Sequence, residues 1–227
     1  MIPWRHLDTA AMPDGGGDLR LMQRGSEFSI MSGAIELMNS RLSGSEEALA
    51  RLACQRVGGR PGCSVLIGGY GMGFTLRAAL GELPAGAQVV VAELVPAVLA
   101  WARSPMAELS ADCLDDPRLT LREADVGALI AAGQSAYDAI LLDVDNGPES
   151  LSRAANDRLY DRDGLRAARR ALRPGGVLAV WSSAPDPAFT RRLRQAGFEA
   201  EEVKVRAGRG RGARHLIWVA INGVGPT

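Results

Sequence analysis

The sequence predicts an α/β fold: a mostly parallel seven-stranded sheet with an antiparallel C-terminal hairpin, preceded by a short β-rich N-terminal extension. Three observations predict it. From Cys63 onward, short β-branched runs alternate with helical stretches, the pattern of a parallel sheet covered on both faces. The last two apolar runs follow each other with no helix between them, which adds an antiparallel pair at the edge. The 227 residues suffice for one such domain and an extension, and fall short of two domains of about 150 residues each.

The elements follow in chain order. Residues 1–17 read as a loose arm, because MPDGGGD stacks a proline and three glycines where nothing periodic forms. Residues 19–41 hold short apolar runs broken by turn residues, which predicts two or three short strands. SGSEEALARLACQRV then predicts a helix. Ser45 is placed as its cap, with Glu46 and Glu47 in the first turn where the helix dipole favours acids. Leu49, Leu52, Ala53 and Val57 form its apolar stripe, and Gly58-Gly59 stops it. Next come CSVLIGG as a strand, TLRAALGEL as a helix, AQVVVAEL as a strand and PAVLAWARSPM as a helix with Pro96 near its start. RLTLREAD is a third strand, VGALIAAG a short helix and YDAILLDVD a fourth strand. LYDRDGLRAARRAL predicts a helix ending at Arg173-Pro174-Gly175-Gly176, with GVLAVWSS as the fifth strand and PAFTRRLRQAG as the next helix. EAEEVKVR and RHLIWVAI form the final pair, joined by AGRGRGA. The boundary is placed after residue 60, so that 1–60 is arm, short strands and entry helix, and 61–227 is the α/β domain.

Composition narrows the partners. Lys and Arg total 26 against 26 Asp and Glu, so bulk charge predicts no polyanionic partner, and nucleic acid or an anionic membrane would need a local patch. Apolar residues at 47% and charged residues at 23% exclude a disordered chain. No apolar run approaches the ~20 residues that span a bilayer. MIPWRHLDTA lacks the basic-then-apolar order of a secretory signal, and three widely spaced cysteines give no disulfide framework; both predict a cytoplasmic protein. With only His6 and His215, no histidine-rich metal site is expected.

The chemistry is concentrated at the first predicted strand–helix turn, Gly68-Gly69-Tyr70-Gly71-Met72-Gly73. Glycines let the backbone turn tightly and let a ligand approach it. About 20 residues past Gly73, at the end of the next strand, stands Glu93, where a carboxylate can accept both hydroxyl protons of a ribose. Strand, turn, helix, strand and acid come in the order of a Rossmann-like adenosine site; the plainer reading is a structural turn and a surface glutamate. The spacing is G-x-G-x-G (Gly69, Gly71, Gly73), with Phe74 where a dinucleotide fingerprint has its third glycine. That shifts the expectation to S-adenosylmethionine or a relative, which carries no pyrophosphate.

These residues resemble a known family. VLIGGYGMGFTLRAAL is similar to the glycine motif of the spermidine synthases, aminopropyltransferases built on the class I methyltransferase fold. The likeness continues through VVVAEL, DPRLTLREAD, YDAILLDVDNGPESL, LRPGGVLAVW and RHLIWVA, and SGAIELMNSRLSGSEEAL resembles the hairpin and helix entry before the catalytic domain. The resemblance implies that Gly69, Tyr70, Gly71, Gly73, Glu93 and Leu94 hold the cofactor, with Glu93 on the ribose. It places Asp125 and Val126 at the adenine edge, and Asp143 at the start of the acidic loop facing the amine nucleophile. The family has two aspartates three apart there, followed by proline; this chain has Asp143 and Asp145, two apart, then Asn146-Gly147-Pro148. Glu36 stands where the family has a glutamine near the cofactor tail, and Ser45 and Glu46 where it has a tyrosine and a histidine near the substrates. The resemblance also implies a homodimer paired through the N-terminal hairpins.

In-line displacement at a sulfonium carbon asks the protein mainly to align donor and acceptor. An ammonium acceptor must also lose a proton, and a carboxylate at the carboxyl end of the fourth strand can take it. Asp143 is the first catalytic candidate and Asp145 the second; alternatively both only bond their own turn backbone. Glu36, Asp145 and Tyr160 are the substrate-binding candidates, and Tyr160 equally suits the core. Tyr70 either packs on the cofactor or covers the turn. Trp181, Met31, Leu37, Met38 and Trp218 read as packing. Lys204, Arg206, Arg209, Arg211, Arg214 and His215 lack interleaved aromatics for base stacking and read as a solvated hairpin tip. The altered positions 36, 45 and 46 make methyl transfer from S-adenosylmethionine to a small amine the main expectation. Aminopropyl transfer from decarboxylated S-adenosylmethionine to putrescine is the alternative, and a non-catalytic nucleotide- or RNA-binding module the third.

Overall fold

A computed structural model describes residues 2–110, 112–144, 154–208 and 212–223. Four antiparallel strands open the chain: β1 (Arg5–Ala11), β2 (Asp18–Arg24), β3 (Glu27–Ser32) and β4 (Ile35–Asn39), paired in sequence order. The first is a correction. The glycines of MPDGGGD form only the connection, and β1 pairs with β2 from Arg5↔Gln23 to Ala11↔Asp18. Backbone pairing, supplied by a partner strand, decides this segment where local periodicity is weak.

Helix α1 (Gly44–Val57) follows, then β5 (Ser64–Gly68), α2 (Phe74–Glu82), β6 (Gln88–Glu93), α3 (Pro96–Arg103), the single turn α4 (Ala107–Ser110) and β7 (Leu119–Glu123). The second half runs α5 (Val126–Ala132), β8 (Tyr137–Leu142), α6 (Ala154–Tyr160), α7 (Arg162–Ala171), β9 (Leu172–Ser182), α8 (Pro187–Gln195), β10 (Phe198–Arg206) and β11 (Arg214–Asn222). Three expectations change. Ser43, not Ser45, precedes α1, so Ser45 lies inside the helix, fully buried. The helix expected over 159–172 breaks at Asp161, whose carboxylate caps α7 by accepting from Gly164 N at 2.8 Å. The strand after it starts at Leu172, so Pro174-Gly175-Gly176 lies within β9.

The main sheet has the order β10-β11-β9-β8-β5-β6-β7, with β5 to β9 parallel and β10–β11 and β11–β9 antiparallel. This is the class I methyltransferase-like arrangement. Strand β5 is buried at every residue, as a central parallel strand covered on both faces must be. One core cluster joins α1, α2 and α3 to one face and to the N-terminal sheet through Leu19, Leu21, Phe28 and Ile30; the other packs α5, α7 and α8 on the opposite face around Phe189 and Trp218. The N-terminal sheet is also latched by a side chain, Trp101 Nε1 donating to Asp8 Oδ2 at 2.7 Å. Order reverses at β5, which lies between β6 and β8, so the crevice beyond their carboxyl ends is the expected ligand site.

At the opposite edge, Asp138 (1% exposed) accepts from Arg60 Nη1 at 2.9 Å, Arg173 Nη1 at 2.6 Å and Ser64 N at 2.9 Å. Asp138→Ala would strand the Ser64 amide and two guanidiniums. A loss of about 2–4 kcal/mol is expected, moderated because both arginines can reach water. The midpoint of urea unfolding measures it, and an unchanged midpoint would refute it.

Candidate functional site

The crevice at the switch point is a cavity bordered by the turn Gly69–Met72, by Glu93, Leu94 and Val95, by Asp125 and Val126, and by Asp143 and Val144. Glu46 and Trp181 also border it, as do Met12, Leu19, Ile30, Leu37 and Met38 of the N-terminal segment. The extension is thus a roof over the carboxyl ends of β5, β6 and β8. Leu37 and Met38, expected as packing, face this cavity.

Gly69 sits at φ +87 and Gly73 at φ +79, a region that only glycine enters without strain. A Cβ on Gly69 would lie 2.6 Å from the Asp143 carbonyl oxygen, so the turn and the end of β8 are in backbone contact. Gly73 precedes α2 and fixes its entry. Tyr70 covers the turn from behind, its hydroxyl 2.9 Å from Ser110 Oγ and its ring buried. Its backbone faces the site: Tyr70 N donates to Glu93 Oε2 at 2.9 Å, while Val95 N donates to Glu93 Oε1 at 2.8 Å. Glu93 (8% exposed) therefore ties the turn to β6. Burial raises its pKa above the usual carboxylate range, against the pull of the surrounding backbone amides. Asp125 caps α5, its Oδ1 accepting from Gly127 N at 2.6 Å.

Asp143 follows β8 and is oriented by Thr75 Oγ1, which donates to its Oδ2 at 2.6 Å. Burial lifts its pKa to about 6. Glu46, in the first turn of α1, faces the same cavity, and its pKa rises to about 7 through burial and the nearby Asp143 charge. Its Oε2 accepts from Ser45 Oγ at 2.7 Å, and Ser45 Oγ lies 2.9 Å from His215 Nδ1. His215 belongs to β11 and not to the hairpin tip. It meets Trp181 edge-on at 4.8 Å between ring centres. Trp181 is a cavity residue as well as a core one, and its buried Nε1 has no hydrogen-bond partner among the described residues.

Two substrate candidates lie elsewhere. Glu36 is on the opposite face of β4 from Leu37; its carboxylate accepts from Ser29 Oγ at 2.7 Å and Asn39 Nδ2 at 3.1 Å and pairs with Arg41. A register shift between Ile30 and Met31 pairs Glu36 with Met31, while Met38 pairs with the cavity-lining Ile30, and this irregularity, which no single-residue correspondence captures, turns Glu36 away from the cavity. Tyr160 packs in the core, edge-on to Phe189 at 5.6 Å, outside the cavity lining. Asp145, Arg209 and Arg211 lie outside the described residues. The resemblance placed Ser45 and Glu46 near the substrates; Trp181 as a cavity residue and the Ser45–His215 contact are what sequence reasoning missed.

A family model of the spermine/spermidine synthase domain matches residues 46–193. The chain is 36% identical over 129 residues to a polyamine aminopropyltransferase of Nitrosomonas europaea, covering 56% of this chain and 37% of that one. It is 33% identical over 144 residues to one of Mycobacterium tuberculosis, covering 60% of this chain and 27% of the relative. The chain thus spans well under half the length of these curated relatives. The crystal structure of spermidine synthase from Thermotoga maritima matches with a TM-score of 0.76 at 18% identity, over 97% of this chain and 73% of that one, which shows a common fold through both sheets. The aminopropyltransferase relatives overturn methyl transfer as the main expectation and favour the aminopropyl alternative. Among the described residues, no helix is long and apolar enough to cross a membrane.

Proposed function

We propose that this chain, which belongs to the spermine/spermidine synthase family, is a transferase that moves an aminopropyl group from decarboxylated S-adenosylmethionine to a small diamine of the putrescine class. The observation that carries this reading is that one cavity is bordered both by the turn-bound acid of β6, Glu93, and by the acids Asp143 and Glu46. The donor set fits a nucleoside sulfonium: the Glu93 carboxylate for a ribose diol, a glycine turn whose backbone borders the cavity, and Asp125 with Val126 for an adenine edge. The donor supplies a methylene carbon made electrophilic by positive sulfur. The protein's own work is alignment and deprotonation. The apolar roof of Ile30, Leu37 and Met38 excludes water from the sulfonium. Asp143, held by Thr75, fixes the attacking ammonium by charge and hydrogen bond. The acid pair then receives the proton that frees the nitrogen lone pair.

Calorimetry with methylthioadenosine, decarboxylated S-adenosylmethionine, S-adenosylmethionine and S-adenosylhomocysteine tests the reading, together with product analysis on putrescine. Micromolar binding of the first two and spermidine from the decarboxylated donor are expected. Failure to bind any of the four, or a methylated diamine as the product, would overturn it.

A further inference from the structure

The reaction needs a destination for the acceptor's proton, and the cavity offers two acids that are not equivalent. Asp143 accepts a hydrogen bond from Thr75 and emerges from β8; Glu46 approaches from α1, on a different layer of the molecule. Glu46 is also held from behind. With the Ser45 hydroxyl donating to Glu46 Oε2, Ser45 Oγ must accept from His215, which sets the proton on His215 Nδ1. Burial holds the His215 pKa below its usual range, so the ring is neutral at pH 7 and the chain of bonds keeps one direction. The ring's edge contact with Trp181, which borders the same cavity, fixes its plane.

We propose that Glu46 is a catalytic residue, the place where the acceptor's proton comes to rest, with Ser45 and His215 as its positioning residues. This rests on the aminopropyl-transfer reading. The step balances simply: an N–H bond of the ammonium held at Asp143 breaks, its electron pair stays on nitrogen, and an O–H bond forms on the Glu46 carboxylate. The pair suits the task because Asp143 raises the basicity of its neighbour. Glu46 titrates near 7 where an isolated glutamate would be a far weaker base. Other charged groups around it do not cancel this. Glu47, next on α1, pushes the same way, and Arg77 of α2 pairs with Glu47 at 3.9 Å.

The test compares wild type with Glu46→Gln, Glu46→Asp and Ser45→Ala, using the decarboxylated donor and putrescine from about pH 5.5 to 9. In wild type kcat rises with pH as the pair loses its proton, with the midpoint of that limb near 7. Glu46→Gln is expected to lower kcat about 10- to 100-fold and to move the limb to lower pH, because Asp143 no longer faces a like charge. Glu46→Asp should recover part of the rate, and Ser45→Ala should lose several-fold with a smaller movement of the limb. Methylthioadenosine affinity should stay within about twofold throughout, which separates chemistry from folding. An unchanged kcat and limb in Glu46→Gln would overturn the inference while leaving the aminopropyl reading intact. If wild type turns over no diamine, the reading fails, and infrared titration of the carboxyl band still decides the pair. Loss of a protonated-carboxyl band between about pH 6 and 8, absent from Glu46→Gln, supports it, and no such band in wild type refutes it.

Discussion

Asp143→Asn is expected to reduce kcat by roughly 10²- to 10⁴-fold with methylthioadenosine binding nearly unchanged. The substitution keeps the shape of the side chain, and its amide oxygen can still accept from Thr75, so the end of β8 should remain in place. What it removes is charge. The anchor for the attacking ammonium is lost, which raises KM for the diamine. The like charge facing Glu46 is also lost, so Glu46 titrates below its present value of about 7 and becomes a weaker base. Both losses fall on the acceptor side. Neither touches Glu93 or the turn that Glu93 ties to β6 through the Tyr70 and Val95 amides. Steady-state kinetics beside calorimetry therefore reads the two halves of the cavity separately. A kcat within about threefold of wild type would show that the acid of β8 does no chemistry.

The half of that cavity proposed to hold the donor was legible in the sequence because its parts are local. A strand running into glycines, a helix, a second strand and an acid about 20 residues on is one continuous supersecondary unit, and Glu93 follows from its order. The acceptor half is assembled from distant segments. Glu46 in a first helical turn satisfies a helix dipole, which explains it fully as a local residue. Ser45 and His215 lie 170 positions apart, and nothing in either segment announces the other. Trp181 has the neighbours of a core strand and is one, while still bordering the cavity at the strand's end. Glu36 shows the reverse case. A likeness of sequence position carried it to the site, and the register shift of β4 against β3 turns it to the other face. In the fold, RHLDTAA carries too little alternation to identify itself, and becomes a strand only because β2 pairs with it. The parallel core needed no such help, since its runs are apolar on both faces.

Gly69→Ala should cost about 2–4 kcal/mol of stability and at least about 30-fold in methylthioadenosine affinity. Two costs combine. An alanine at φ +87 adopts a conformation that L side chains avoid, worth about 1–2 kcal/mol. Its methyl would then lie 2.6 Å from the Asp143 carbonyl oxygen and 3.5 Å from Val144 Cγ1. Relief requires backbone movement, and the backbone is pinned on both sides: Gly69 N donates to Ala92 O at 2.9 Å, and Asp143 N to Gly68 O at 3.1 Å. Any shift therefore moves β8's acid and the glycine turn together, which is why a single methyl should harm folding and ligand binding at once. Gly81 supplies the contrast. It lies in α2 without a positive φ, and a methyl there would meet no atom within 4 Å, so Gly81→Ala should stabilise by about 0.5–1 kcal/mol with affinity unchanged. Urea unfolding and calorimetry on the two variants measure both quantities. If Gly69→Ala behaved like Gly81→Ala, the turn would not be the close-packed wall of the cavity, and the donor would have to bind elsewhere.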